Sequence, residues 1–208
     1  MAAAEQSFLD EVAELAGKDP FDFRLALLKR AQANPVGKNN EYEPDRFIKV
    51  LELLREKSQW DAKKKTKKMG LSAYFCHDSY AAHVLELRMQ DGTPIIENVC
   101  CAVDCGIVIN PDAAKNLSEG GIIDGIGAAM YGKMTIEKGV PQSSNFDTYR
   151  MIRHHEAPKK IDVHFVKSDI DPTGMGEPAY PPVFAALANA LYQATGKRHY
   201  SQPFADNL

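Results

Sequence analysis

Apolar residues recur at helical spacing over the first third of the chain, and this spacing predicts three helices. The first helix carries Phe8, Val12 and Leu15 as an apolar stripe. The second follows Asp19 and Pro20, which suit the cap and the first turn of a helix. The predicted ranges are 5–16, 21–31 and about 45–59.

The pattern changes to strand-like alternation after Gly70. Residues 85–89 alternate apolar and polar side chains, and Asp91–Gly92 then predicts a hairpin turn into a second strand over 95–103. The end of this second strand is apolar on both faces, which is typical of a central strand. Residues 161–165 alternate again and predict a further strand.

Two more helices are predicted between and after these strands, over 113–131 and 182–195. Helices and strands are therefore mixed along the chain. The predicted fold class is α+β, a mixed sheet with packed helices. The predicted organisation is a helical segment at 1–62, a basic linker at 63–70 and an α+β domain at 71–208.

Composition and charge narrow the classes of function. The 208 residues are 44% hydrophobic and 25% charged, which is typical of a globular chain and excludes a disordered one. The net charge of −3 argues against a dedicated binder of nucleic acid or membrane surfaces. We expect no membrane span and no secretory signal in this sequence, and the compartment stays open between cytoplasm and periplasm.

One run of charge, Lys63–Lys68, allows two interpretations. It could be a basic patch for nucleic acid or anionic lipid, or a solvated linker after the end of a helix. No aromatic residues are interleaved with these lysines, and the rest of the chain is acidic. The linker interpretation is therefore favoured.

Cysteines and histidines do not follow a metal-binding pattern. Three cysteines fall within six positions without a CxxC pair, so we expect reduced thiols, buried in the core, and no metal site. The histidines show neither HExxH nor HxxxH spacing, and we expect surface or strand positions for them. Trp60 is expected to pack the third helix against its neighbours. The cysteines are Cys76, Cys100, Cys101 and Cys105, and the histidines are His77, His83, His154, His155, His164 and His199.

Glu177 is the most pointed candidate for chemistry. Gly174 and Gly176 precede it and prolines follow it, so the carboxylate lies in a stiff loop that leads into a helix. A glutamate held in this way can serve as a general base if burial tunes its pKa. The alternative is a surface glutamate that favours the positive end of the helix.

The segment from Glu119 to Gly127 is a second candidate, because it is rich in glycine. Small residues let the backbone approach a bulky ligand, and amides that open a helix can hold a phosphate. The spacing is not that of a dinucleotide-binding fingerprint, and close helix packing explains the glycines equally well.

Several stretches taken together resemble a known family. In order they are Ala102–Pro111, Glu119–Gly121, Ser144–Asp147 with Glu156–Pro158, Gly176–Pro178 with Pro181–Pro182, and Ala188–Ala190. They resemble the C-terminal part of the molybdopterin-binding large subunit of the xanthine oxidase and aldehyde oxidoreductase family, especially its isoquinoline 1-oxidoreductase-type members. The resemblance covers essentially the whole chain, whereas large subunits of that family are several times longer.

The resemblance implies a fragment or a split half of a molybdenum hydroxylase that is inactive as an isolated chain. Glu177 would be the catalytic base, and Glu119, Gly120, Gly121 and Gly176 would bind the cofactor. That cofactor would be molybdopterin with molybdenum, in its cytosine dinucleotide form, shared with the missing N-terminal portion of the subunit. The substrate would be an N-heteroaromatic compound or an aldehyde, and electrons would pass to a small [2Fe–2S] subunit.

Leu117 departs from the family pattern, which has a glutamine at this position. Loss of a polar contact to a buried ligand costs about 1–3 kcal/mol, unless Asn116 or Ser118 substitutes. This departure keeps open a rival function from another class. The chain would then be a non-catalytic assembly module that docks other subunits and binds no cofactor alone.

Overall fold

The computed structural model describes residues 1–37 and 42–208. The five predicted helices are confirmed, and a single-turn helix follows the third. Asp19 caps the second helix, because its carboxylate accepts hydrogen bonds from the amides of Phe21 and Asp22. The helices are α1 (Ala2–Leu15), α2 (Pro20–Ala33), α3 (Pro44–Lys57), α4 (Trp60–Lys63), α5 (Pro111–Tyr131) and α6 (Pro181–Thr195).

The main sheet has four strands in the order β1-β2-β3-β6. The first three strands are antiparallel neighbours, whereas β6 pairs parallel with β3, so the sheet is mixed as predicted. The Asp91–Gly92 turn is confirmed, with positive φ at both residues. The strands are β1 (Lys68–Cys76), β2 (Ser79–Gln90), β3 (Thr93–Asp104), β4 (Ile136–Glu137), β5 (Val140–Pro141) and β6 (Ile161–Phe165), of which β4 and β5 form a separate small hairpin.

Helices cover both faces of the sheet and create two apolar cores. On one face α5 and α6 pack against side chains that include Val99 and Cys101. On the other face α2 and α3 pack against side chains that include Cys100 and Ala102. Because adjacent residues of β3 are buried on opposite faces, the continuous apolar run is that of a central strand.

The prediction for the clustered cysteines is confirmed, since Cys100, Cys101 and Cys105 are buried free thiols. Burial raises the pKa of the Cys100 thiol to about 12, and it raises the pKa of Cys101 as well. Trp60 packs edge-on against Phe21 of α2, as expected.

The apolar stripe of α1 does not face the core. Phe8 is 64% exposed and Leu15 is 88% exposed, whereas Ala13, Gln6 and Asp10 are buried. Polar contacts decide the orientation, because the carboxylate of Asp10 pairs with the Arg198 guanidinium at 2.8 Å beyond the end of α6. The ring of interactions around Gln6 and Asp10 therefore turns the apolar stripe outward.

The lysine run lies at the junction between α4 and β1. The ammonium of Lys64 lies 2.7 Å from the Asp19 carboxylate, and that of Lys67 lies 2.8 Å from Glu86. Strand β1 already begins at Lys68, inside the predicted linker, since the chain is pulled into the core from Met69 onward. The division into a helical segment, a linker and a domain stays a prediction, and residues 38–41 of that helical segment lie outside the described residues.

A buried polar site lies beneath α6. His83 and Ser72 are opposite each other on β2 and β1, and both are fully buried. Within the described part of the chain, neither the His83 ring nitrogens nor the Ser72 hydroxyl has a hydrogen-bond partner. The neighbouring Gly70 is in close contact with α6, since a Cβ atom there would lie 2.1 Å from the Ala186 carbonyl oxygen. Among the helices described, none is long and apolar enough to cross a bilayer.

Candidate functional site

Glu177 lies in the loop between β6 and α6, and backbone hydrogen bonds hold this loop against two other segments. The amide of Thr173 donates to the carbonyl of Cys105 at 2.9 Å, and the amide of Gly174 donates to the carbonyl of His77 at 3.0 Å. Closer to the helix, the amide of Tyr180 donates to the carbonyl of Glu177 at 2.8 Å. The backbone on both sides of Glu177 is thus fixed.

The β1–β2 hairpin provides further contacts to the same loop. The hydroxyl of Ser79, the first residue of β2, lies 2.7 Å from that of Thr173 and donates to the carbonyl of Gly174. After β3, Gly106 has a φ of +68°, and a Cβ atom there would lie 2.2 Å from the Asp171 carbonyl oxygen. Only glycine permits this close approach of the two backbones.

A buried ion pair supports these segments from below. The Nε and Nη2 atoms of Arg46 donate to the two carboxylate oxygens of Asp104 at 3.1 and 2.9 Å. The Nη1 atom donates to the carbonyl of Asp78 in the hairpin turn, and Asp104 also accepts from the amide of Gly106. Burial alone would lower the pKa of Arg46, but the Asp104 carboxylate outweighs it and raises the pKa. One guanidinium therefore joins α3, the hairpin turn and the end of β3.

The Glu177 side chain is 73% exposed, so the burial that the sequence argument required is not provided within this chain. Its Oε2 atom lies 2.7 Å from Nε2 of His77. His77 is thereby a site residue that sequence reasoning missed. It occupies the two-residue turn between β1 and β2, and the available signal was a His–Asp pair between two strands, of which β1 had not been delimited.

Glu119, Gly120 and Gly121 lie in the middle of α5, eight or more residues after it begins at Pro111. Their amides are therefore used within the helix, and the idea that they open a helix and hold a phosphate is wrong. A Cβ atom on Gly121 would lie 3.7 Å from the backbone nitrogen of Tyr180. This segment of α5 consequently lies directly beside the loop that carries Glu177.

Packing explains some of the glycines of α5 but not all of them. A Cβ atom on Gly125 would lie 2.3 Å from Val183, and one on Gly127 would lie 2.8 Å from Ile152. A Cβ atom on Gly120 would have no neighbour within 4 Å, and the same is true of Gly176. Gly120 and Gly176 thus leave bare backbone on the exposed side of the site.

The residues before Glu119 differ in what they offer to a ligand. Leu117 is half-exposed, and as it precedes Gly120 by three positions it lies on the same face of α5. The hydroxyl of Ser118 is buried and donates to the carbonyl of Ala114, so it is used within the helix. Asn116 is exposed and one turn before Gly120, which makes it the better substitute for the missing amide.

Comparison with known families gives one match that covers most of the chain. A family model described as a molybdopterin cofactor-binding domain matches residues 21–158. Glu119 and Gly121 fall within this range, and Glu177 lies after it.

Three curated relatives align over nearly the whole chain. The beta chain of isoquinoline 1-oxidoreductase from Brevundimonas diminuta is 31% identical over 99% of this chain and 25% of its own length. The membrane-bound, pyrroloquinoline-quinone aldehyde dehydrogenase of Gluconacetobacter polyoxogenes is 31% identical over 95% of this chain and 27% of its own length. One subunit of the nicotinate dehydrogenase from Pseudomonas putida is 24% identical over 96% and 17%. The chain spans about a quarter or less of these relatives.

Among solved structures, the aldehyde oxidoreductase of Desulfovibrio gigas has a similar fold. It superposes with a TM-score of 0.73 over 97% of this chain and 39% of its own, at 13% identity. Quinoline 2-oxidoreductase of Pseudomonas putida 86 superposes with a TM-score of 0.52 over 61% and 17%. At such identities the likeness concerns the fold.

Proposed function

Because this chain belongs to the molybdopterin cofactor-binding domain family, we propose that it forms one wall of the active site of a molybdenum hydroxylase. The enzyme would oxidise an N-heteroaromatic compound or an aldehyde with oxygen derived from water. Since the chain spans only about a quarter of its relatives, the remaining walls would come from further parts of a large subunit, either on a longer chain or on a separate one.

The exposed backbone at Gly120 carries this proposal. Glycine in the interior of a helix destabilises it by roughly 0.5–1 kcal/mol relative to alanine. Close packing accounts for Gly125 and Gly127, but no atom of the described residues requires a glycine at position 120. A bulky ligand lying on this face of α5 would account for it, because the absent side chain allows contact with the backbone.

The residues of this chain fit such a ligand as one wall, not as an enclosed pocket. Gly120 and Gly121 would bring the backbone of α5 against the pterin, and Gly176 would do the same from the opposite loop. Glu119 lies 3.6 Å from the Lys115 ammonium, which keeps its carboxylate on the helix surface. Asn116 would supply the polar contact that Leu117 cannot make.

Glu177 would act as the general base beside this wall. Its backbone is held on both sides, so the reach of the carboxylate is set, and an ionised carboxylate accepts a proton at either oxygen. When bound, the molybdenum cofactor supplies the redox centre that accepts the electrons of the substrate. The carboxylate would be enclosed, and water excluded, only when the rest of the subunit covers it.

Cofactor form and electron acceptor complete the proposal. We propose the cytosine dinucleotide form of molybdopterin and a separate small subunit with [2Fe–2S] clusters. The clustered thiols of this chain are packed in the core, so such a partner would provide its own cluster ligands. Release of cytidine monophosphate on acid treatment of the holoenzyme tests the first point, and co-purification of iron and labile sulfide with a second subunit tests the other.

The main experiment measures molybdenum and activity in the assembled enzyme. We expect about one equivalent of molybdenum per large subunit, retained in Glu177→Gln while turnover of N-heterocycles and aldehydes is lost. Gly120→Val should reduce the molybdenum content, whereas Ala113→Val, an exposed change on the same helix, should not.

Three results would contradict the proposal. Absence of molybdenum even with all parts of the subunit present would favour the non-catalytic assembly module. A bound quinone without molybdenum would favour the cofactor named for the Gluconacetobacter polyoxogenes relative. Full activity of Glu177→Gln would remove Glu177 from the chemistry.

A further inference from the structure

The contact between His77 and Glu177 links the candidate base to a turn 100 positions earlier in the chain. The Nε2 and Oε2 atoms are 2.7 Å apart, which is the distance of a charge-assisted hydrogen bond. An ionised carboxylate only accepts hydrogen bonds, so Nε2 carries the proton and donates it. Among the described residues this is the one hydrogen bond that reaches the Glu177 carboxylate, and its Oε1 atom is left open.

The backbone of His77 is held more firmly than its exposure suggests. His77 and Asp78 form a two-residue turn with φ values of 54° and 56°, a conformation that suits the twist of a hairpin. The carbonyl of His77 accepts from Gly174, and the carbonyl of Asp78 accepts from the buried Arg46. The imidazole therefore projects from a fixed base.

Packing fixes the distance between the turn and the loop as well. A Cβ atom on Gly174 would lie 2.6 Å from the Cβ atom of His77, so the two backbones are as close as glycine allows. The loop that carries Glu177 and the turn that carries His77 thus move as one unit. Within that unit the carboxylate has several rotatable bonds, and the imidazole is the group that selects one orientation.

From this geometry we infer that His77 is a positioning residue, which orients the Glu177 carboxylate by holding Oε2 and leaves Oε1 to accept the proton. The inference rests on the proposed role of Glu177. Both side chains are more than half exposed, and exposed ion pairs contribute little to stability. Substitution of His77 should therefore affect chemistry and leave the stability of the fold unchanged.

The first test needs no cofactor. Long-range ¹⁵N–¹H correlation spectra of the imidazoles in the chain should show the proton of His77 on Nε2. In Glu177→Gln the Nε2 resonance of His77 should shift, and that of the exposed His155 should not. Identical His77 resonances in the two proteins would overturn the inference.

The second test uses the assembled holoenzyme. His77→Ala should lower kcat by about 10- to 100-fold with KM nearly unchanged, since a misplaced base slows the chemical step without altering substrate binding. His77→Gln should recover part of the loss, because its amide nitrogen can still donate to the carboxylate. The urea midpoint of the isolated His77→Ala chain should equal that of the wild type.

The outcomes separate this inference from the proposed function. If Glu177→Gln abolishes turnover while His77→Ala retains full kcat, His77 has no positioning role and the proposed function stands. If Glu177→Gln retains turnover, the proposed function fails first. A kcat loss in His77→Ala that His77→Gln does not recover at all would also contradict positioning by a hydrogen bond.

Discussion

Acidification should destabilise the fold through His83. This side chain is fully buried on β2, and burial lowers its pKa from the ordinary 6.5 to about 3. In the unfolded chain the imidazole binds a proton below about pH 6.5, whereas in the folded chain it stays neutral until about pH 3. Between these values the unfolded state holds one proton more than the native state.

The sign and size of the effect follow from this difference. The stabilisation due to a neutral His83 is complete above about pH 6.5 and is lost as the pH falls towards 3. The slope in that window is about 1.4 kcal/mol per pH unit. Between pH 7 and pH 5, His83 alone should therefore lower the free energy of unfolding by about 2 kcal/mol.

The assay compares urea unfolding at pH 7 and pH 5 in the wild type and in His83→Leu. Leucine is apolar, and it removes both unpartnered ring nitrogens. The wild type should lose about 2 kcal/mol more than the variant on acidification, because contributions from carboxylates such as Asp10 cancel in the difference. His155→Leu, at an exposed position, should behave as the wild type. Equal losses in wild type and His83→Leu would refute the reasoning.

Three other predictions concern the supports of the site. Asp104→Asn leaves the buried charge of Arg46 without its partner and should cost about 3–5 kcal/mol in urea unfolding; a loss below about 1 kcal/mol would contradict a buried pair. Gly70→Ala should destabilise by about 1–3 kcal/mol, as its Cβ atom would meet α6 backbone; an unchanged urea midpoint would show that α6 can move away. In thiol titration with Ellman's reagent at neutral pH, the partly exposed Cys76 should react before the buried Cys100; equal rates would show that the core opens readily.

The sequence was sufficient for most of the fold, because helix caps and hairpin turns are local signals. Asp19 with Pro20 marked the start of α2, and Asp91–Gly92 marked the turn between β2 and β3. Strand β1 was not delimited, since five of its nine residues are buried in succession and no alternation is visible. The orientation of α1 was also not predictable, because it depends on Asp10 meeting Arg198 almost two hundred residues later.

The candidate site was accessible in part, for a related reason. Glu177 and Gly120 stand in recognisable local motifs, so their candidacy did not require a structure, although their roles remain predictions. The contact between Glu177 and His77 depends on the position of a hairpin turn relative to a loop 100 residues away. Such a pairing is determined by strand register, and nothing local in either segment encodes it.

The parallel pairing of β3 with β6 has a consequence for the order of folding. Parallel neighbours end at the same edge of a sheet, and α5 makes the crossover between them. The β1–β2 turn reaches this edge too, since Tyr80 lies opposite Asp104 in the strand register. The three segments around Glu177 are therefore brought together by the contacts of longest sequence separation, whose loop-closure entropy is the largest. The edge that carries the site should be the last part of the sheet to form and the first to open.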